Sequence, residues 1–236
     1  MQANHNRRII KGLLFDLDNT LYHYNPAHEA GLSAVFKTLS QQVTQSPAEL
    51  STVYEQAKQQ VKHRLHSTAA SHHRLLYLQA MLELLGLFSP TLTQDLYNHY
   101  WNAFFAAMQP ITGMSETLHR LAKSYSIGIV TNFVADIQYR KLEQLGIANL
   151  ISHLVTSEEI GCEKPDPRVF FAACKKMQLQ ADEVCMIGDD LEIDIIPAQH
   201  LGMETYWLVP QTSTTKQEHS LFKTCSTFYD IEERLQ

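Results

Sequence analysis

The sequence predicts an α/β fold, a Rossmann-like doubly wound parallel sheet with an inserted all-α cap domain, and three observations predict it. Short apolar runs of strand length recur along the chain, and segments of helical length lie between most of them. One long stretch after the first run carries several helix starts and no convincing strand. Alternation of strand and helix gives a parallel sheet covered on both faces.

In chain order, Gly12 to Phe15 is the first strand, too short for a helix and without a polar side chain. The strand-free stretch runs from Tyr22 to about Met108. Within it, Asn25-Pro26 and Ser46-Pro47-Ala48-Glu49 each set a capping side chain before a proline at the first helical position, and Glu49 completes a capping box. Leu75, Leu76, Leu78, Met81, Leu82, Leu84 and Leu85, then Tyr97, Trp101, Phe104 and Phe105, continue at helical spacing, so roughly four helices fit here. The later strands are expected at Ile127 to Val130, His153 to Thr156, Val184 to Ile187 and Thr205 to Val209. Helices are expected over Ala135 to Leu145, closed by Gly146, and over Pro167 to Met177. Gln211 to His219 is expected to be the most mobile loop, and Ser226 to Gln236 to end the chain in a short helix.

The expected domains are a core of residues 1–21 and 109–236 and a helical cap of residues 22–108. An insertion directly after the first strand projects from that strand's carboxyl end, the edge where open α/β sheets bind ligands. The cap is therefore placed to act as a lid.

Composition narrows the partners. Nineteen Lys and Arg against twenty-five Asp and Glu give a formal charge of -6, and no basic block is present, which argues against nucleic acid. The apolar run after Arg7, Arg8 and Lys11 is too short for a signal peptide or a membrane span. Cys162, Cys174, Cys185 and Cys225 form no C-x-x-C pair and read as structural thiols of a reducing compartment, so a cytoplasmic location is expected. A small-molecule partner and a monomer or homodimer follow as expectations.

Acidic residues concentrate where apolar strands end. Gly12-Leu13-Leu14-Phe15 leads into Asp16-Leu17-Asp18-Asn19-Thr20, and Val184-Cys185-Met186-Ile187-Gly188 leads into Asp189-Asp190-Leu191-Glu192-Ile193-Asp194. Any one of these acids also fits as a helix cap. If the two strands are neighbours, however, the converging charge demands a cation, and hard oxygen ligands suit Mg²⁺. Thr131-Asn132, after the strand at Ile127 to Val130, and Lys164, in Cys162-Glu163-Lys164-Pro165, bring groups suited to an anion.

These four segments together resemble the haloacid dehalogenase-like hydrolase superfamily. Its motifs occur in order as Asp16-x-Asp18-x-Thr20, Thr131 after an apolar strand, Lys164 before Pro165, and Gly188-Asp189-Asp190 with Asp194 beyond. The resemblance implies strand order 3-2-1-4-5, with the strands that end at Asp16 and Asp189 side by side. It implies that Asp16 is the nucleophile forming an aspartyl-phosphate, and that Asp18 protonates the leaving alcohol and then activates water. Mg²⁺ is expected on the Asp16 and Asp189 carboxylates and the Asp18 backbone carbonyl, with Asp190 and Asp194 both open as supporting acids. Thr131, Asn132 and Lys164 are expected to bind phosphate. Asp18 separates the phosphatases from the dehalogenase branch, which lacks it. The expected activity is hydrolysis of a small phosphomonoester, a nucleoside monophosphate or a sugar phosphate. The alternatives are a phosphomutase of the same superfamily and a non-catalytic module that binds phosphate ligands. Tyr22, His23 and Tyr24, just past the nucleophile loop, either face the leaving group or form aromatic surface at the cap hinge.

Overall fold

A computed structural model of the chain describes residues 9–209 and 222–235. Its six strands are β1 (Gly12–Phe15), β2 (Ser126–Thr131), β3 (His153–Thr156), β4 (Val184–Gly188), β5 (Glu204–Leu208) and β6 (Thr224–Cys225). All pair in parallel, in the order β3-β2-β1-β4-β5-β6. The sheet therefore has the expected order with one strand added outside β5. No apolar run announces the two residues of β6; they join through main-chain bonds from Trp207 N to Lys223 O and from Val209 N to Cys225 O, each 2.9 Å.

The strands are apolar on both faces because both faces are covered. Leu13 and Phe15 of β1 share one core with Ile127, Ile129, Cys185 and Ile187. Leu14 points into the other, with Val130, Val184 and Met186. Helices α8 (Pro167–Met177) and α9 (Ile196–His200) supply the second core through Val169, Phe170, Ala173 and Ala198. On the first face lie α5 (Met114–Leu121) and α10 (Phe228–Leu235), through Leu118, Phe228 and Ile231. Helix α6 (Ala135–Gln144) stops one residue before Leu145, which serves as its C-cap, and the short α7 (Ser157–Ile160) follows β3.

Four α-helices occupy the stretch between β1 and α5: α1 (Tyr24–Leu39), α2 (Pro47–Arg64), α3 (Arg74–Leu84) and α4 (Pro90–Ala107). The Ser46 capping box forms as expected, with Ser46 N donating to Glu49 Oε2 at 2.7 Å and Glu49 N to Ser46 Oγ at 3.4 Å. The start of α1 differs from expectation. Asn25 and Pro26 lie inside its first turn, and the cap is His23, whose side chain accepts no bond. The N–H of Tyr24 is taken instead by Asn19 Oδ1, at 3.1 Å. Proline is tolerated throughout a first turn, so Asn-Pro locates a helix start only to within a residue or two. The aromatic core of these helices joins the sheet's core, with Tyr22 against Phe104 (6.1 Å between centroids) and Phe133 against Trp101 (6.0 Å). No helix among the described residues is long and apolar enough to cross a membrane, and Gln211 to His219 lies outside the described residues.

Candidate active site

Parallel register brings the strand-end acids together. Phe15 pairs with both Ile129 and Ile187, so Asp16 and Asp189 emerge side by side from β1 and β4, with Thr131 closing β2 next door. The Asp16 N–H donates to Ile187 O at 2.9 Å, which fixes the first residue past β1. Thr20, buried on the same loop, has its hydroxyl 3.2 Å from both Asp16 Oδ2 and Asp189 Oδ1.

Lys164 arrives from the loop before α8. Its Nζ lies 2.6 Å from Asp16 Oδ1 and 2.7 Å from Asp194 Oδ1, and the side chain is almost wholly buried. Asn132 holds it there: the Asn132 amide donates to Lys164 O at 2.9 Å and accepts from Lys164 N at 2.7 Å. One of the two Asn132 amide N–H groups and its carbonyl are thus used to fix the lysine.

Asp190 and Asp194, four residues apart in the motif, point in different directions. The Asp190 carboxylate accepts from Glu192 N and Ile193 N at 3.0 Å each, capping a π-helical turn over Leu191–Ile195. That turn rotates Asp194 inward, where it is buried. It packs directly over Gly188, where any Cβ would collide with the Asp194 carboxylate. One carboxylate oxygen from each of Asp16, Asp189 and Asp194 falls within a 4.8 Å group.

Burial pushes the Asp16 carboxyl well above its ordinary value; Lys164 opposes this, and Asp194, Asp189 and Asp18 add to it. Asp189 is pushed up to about 7 by burial and by Asp194, against Lys164 and the Thr20 hydroxyl. Asp194 is raised by burial, again against Lys164. Three carboxylates against one ammonium leave two negative charges in a buried volume, and a hard dication with oxygen ligands offsets that deficit. The residues present therefore fit Mg²⁺.

The Asp18 side chain sits apart from the three clustered carboxylates. Its Oδ1 accepts from Lys141 Nζ at 2.6 Å and from the Tyr22 hydroxyl. Burial pushes Asp18 up, but the Lys141 charge and hydrogen bond, with Tyr22 and Arg74, outweigh it and hold the carboxyl below its ordinary value. Lys141 is itself 1% exposed, enclosed by the rings of Tyr22, Phe104 and Phe133 at 5.1–5.7 Å. One turn earlier on α6, buried Gln138 donates to Thr131 Oγ1 at 2.5 Å and orients that hydroxyl. Sequence reasoning missed both residues. Their signal is faint but present: Gln138 and Lys141 interrupt the inward stripe that Ile137 and Leu142 define. Of the three residues after the loop, Tyr22 binds Asp18, the Tyr24 hydroxyl accepts from Arg74 at the start of α3, and His23 is exposed.

Known proteins share the family and the fold of this chain. A family model described as haloacid dehalogenase-like hydrolase matches residues 13–208. The ribulose-1,5-bisphosphate 5-phosphatase of Halopiger xanaduensis is 36% identical over 209 residues, 87% of each chain. The glyceraldehyde 3-phosphate phosphatase of Methanocaldococcus jannaschii is 30% identical, with 84% of each chain covered. The magnesium-bound hydrolase YfnB of Bacillus subtilis superposes with a TM-score of 0.73 over 96% of this chain and 99% of that one, at 22% identity, a likeness of fold.

Proposed function

Since the chain belongs to the haloacid dehalogenase-like hydrolase family and is a phosphoric monoester hydrolase, we propose that it is a Mg²⁺-dependent sugar phosphatase working through an aspartyl-phosphate on Asp16. The observation that carries this reading is the single ammonium of Lys164 bridging Asp16 and Asp194, with Asp189 beside them at the ends of adjacent parallel strands. The phosphatase names of the relatives at 36% and 30% identity support the sugar phosphate class.

In the first half-reaction an Asp16 carboxylate oxygen bonds to phosphorus in line with the ester oxygen, the P–O ester bond breaks, and the leaving alkoxide takes a proton from Asp18. In the second, water attacks phosphorus, its proton passes to the Asp18 carboxylate, and inorganic phosphate leaves Asp16 free. Lys164 and the Thr131 hydroxyl, oriented by Gln138, offset charge on the equatorial phosphoryl oxygens. Resting Asp18, held ionised by Lys141 and Tyr22, suits the base role; a phosphate brought beside it opposes ionisation and favours the protonated form that the first step requires. Asp16, Asp189 and the Asp18 carbonyl, with Asp194 in support, would hold Mg²⁺, and the ion would supply Lewis-acid neutralisation of phosphoryl charge. Residues 22–108 act as the cap over a core of residues 1–21 and 109–236.

The test is release of inorganic phosphate from a panel of phosphomonoesters with and without Mg²⁺, native chain against Asp16→Asn. Metal-dependent release that disappears in the variant is expected. Product that keeps its phosphate would instead identify a mutase, and release that persists in Asp16→Asn would remove the aspartyl-phosphate.

A further inference from the structure

Resting on the reading of Asp16 as phosphoryl acceptor, we propose that the cavity beside Asp18 holds a second phosphate of the substrate, so that sugar bisphosphates are preferred to monophosphates. The cavity, about 390 Å³, runs from Asp18 and Asn132 on the core loops to Lys58 and Lys62 of α2 and Arg74 at the start of α3. That is room for a small ligand. Asp18 is the group placed to protonate the leaving oxygen, so the remainder of the substrate extends from Asp18 into this space.

Its charge is unbalanced. Lys58, Lys62, Arg74 and Lys141 line it against a single carboxylate, Asp18, which Lys141 already pairs. Lys58 binds the exposed Glu55 at 2.8 Å. Neither Lys62 nor Arg74 forms an ion pair among the described residues. Arg74 is only 8% exposed. Its guanidinium is fixed by donation to Tyr100 Oη at 3.2 Å, to His72 O at 2.7 Å and to the Tyr24 hydroxyl, all neutral acceptors. The Tyr77, Phe133 and Tyr100 rings stand 5.3, 5.6 and 5.8 Å from it. A guanidinium buried without a counter-charge is costly unless an anion arrives.

A second observation is independent of charge. The Tyr54 hydroxyl is buried without a hydrogen-bond partner, and Tyr54 lines the same cavity. An unpartnered donor next to an unpaired guanidinium matches a ligand with several acceptor oxygens and two negative charges, which a phosphate has and a neutral sugar hydroxyl lacks. The titrating neighbours report the same field. Burial with Lys58 and Arg74 lowers Lys62, and burial with Arg74 and Lys58 lowers His28 to about 3.

The experiment compares kcat/KM for pentose and hexose bisphosphates with that for the matching monophosphates, and measures calorimetric binding of each to Asp16→Asn. Native enzyme should prefer the bisphosphate by about a hundredfold or more, and Lys62→Gln and Lys58→Gln should each lower that ratio about tenfold. These lysines are only partly buried, so their replacement leaves the Arg74–Tyr24–Tyr100 packing in place. Equal turnover and binding of the two classes overturns the proposal, even with phosphate released from both. So does restoration of the full bisphosphate rate by adding inorganic phosphate to a monophosphate, which would mark an effector site, or equal preference for a sugar-acid monophosphate. If no ester releases phosphate, the phosphatase reading fails. A calorimetric preference for bisphosphate that Lys62→Gln weakens would still support the second phosphate site.

Discussion

Lys141 stands where the periodicity of α6 calls for an apolar residue, and its burial is tolerated because Asp18 and three aromatic rings receive the ammonium. The pair is held at 2.6 Å inside the protein, so removing one partner leaves an uncompensated buried charge. In Lys141→Met the charge and hydrogen bond that most oppose burial are lost, leaving only Tyr22 and Arg74 against it, and the Asp18 pKa should rise. The first half-reaction needs protonated Asp18, so the alkaline limb of the kcat/KM profile should move to higher pH, and kcat should fall roughly a hundredfold, the range for loss of a positioned acid–base group. A pH–rate series checks this; an unmoved alkaline limb would mean that Lys141 only fills space. Asp16, Asp18, Lys164 and Asp189 were legible because strand-end carboxylates and a lysine before proline stand out in sequence. Lys141 and Gln138 were not, because each reads as one more polar residue on an amphipathic helix until the fold sets that helix against the site.

The junction of β4 with its π-helical turn decides a question that spacing left open. Asp190 spends its carboxylate on the turn's own N–H groups, and the turn directs Asp194 across Gly188 towards Lys164. The absence of a side chain at Gly188 is therefore a condition of the acidic cluster. Gly188→Ala should displace Asp194, costing about 1–3 kcal/mol of stability as other overpacked sites do. Mg²⁺ affinity should weaken by about tenfold, the loss typical of a disturbed supporting ligand. Thermal melting and calorimetric metal titration read the two effects separately, and unchanged Mg²⁺ affinity would remove Asp194 from the supporting set. The start of α1 shows the same dependence on context. Asn19 adopts a positive φ of 64°, a conformation Asn tolerates, and from there caps Tyr24, so the loop that carries Asp16 and Asp18 itself begins the first helix.

At the scale of the whole molecule, one apolar cluster runs from the sheet into the four helices after β1, and its Tyr100 hydroxyl links half-buried His28 to buried Arg74. His28 Nδ1 lies 2.6 Å from the Tyr100 hydroxyl, and burial with the charges of Arg74 and Lys58 lowers the imidazole from 6.5 to about 3. Between those values the unfolded chain binds more protons than the folded one. The contribution of neutral His28 to stability is therefore fully present above the unfolded value of 6.5 and is lost as pH falls towards 3. On the order of 2 kcal/mol should disappear between about pH 6.5 and pH 5. Urea unfolding over that range, native against His28→Gln, should show a steeper fall for the native chain; parallel curves would contradict it. By itself the sequence determined the parallel α/β sheet and the acids and lysine at its strand ends, because apolar run length, capping boxes and charge clusters are local properties; the order of the first five strands followed only from the family resemblance that those motifs carry. Tertiary structure alone decided that β6 pairs with β5, that Asp194 rather than Asp190 joins Asp16 and Asp189, and that Lys141, Gln138 and Arg74 turn inward. Those outcomes depend on which distant surfaces meet, and burial gives a polar side chain its charge state and partner only after they have met.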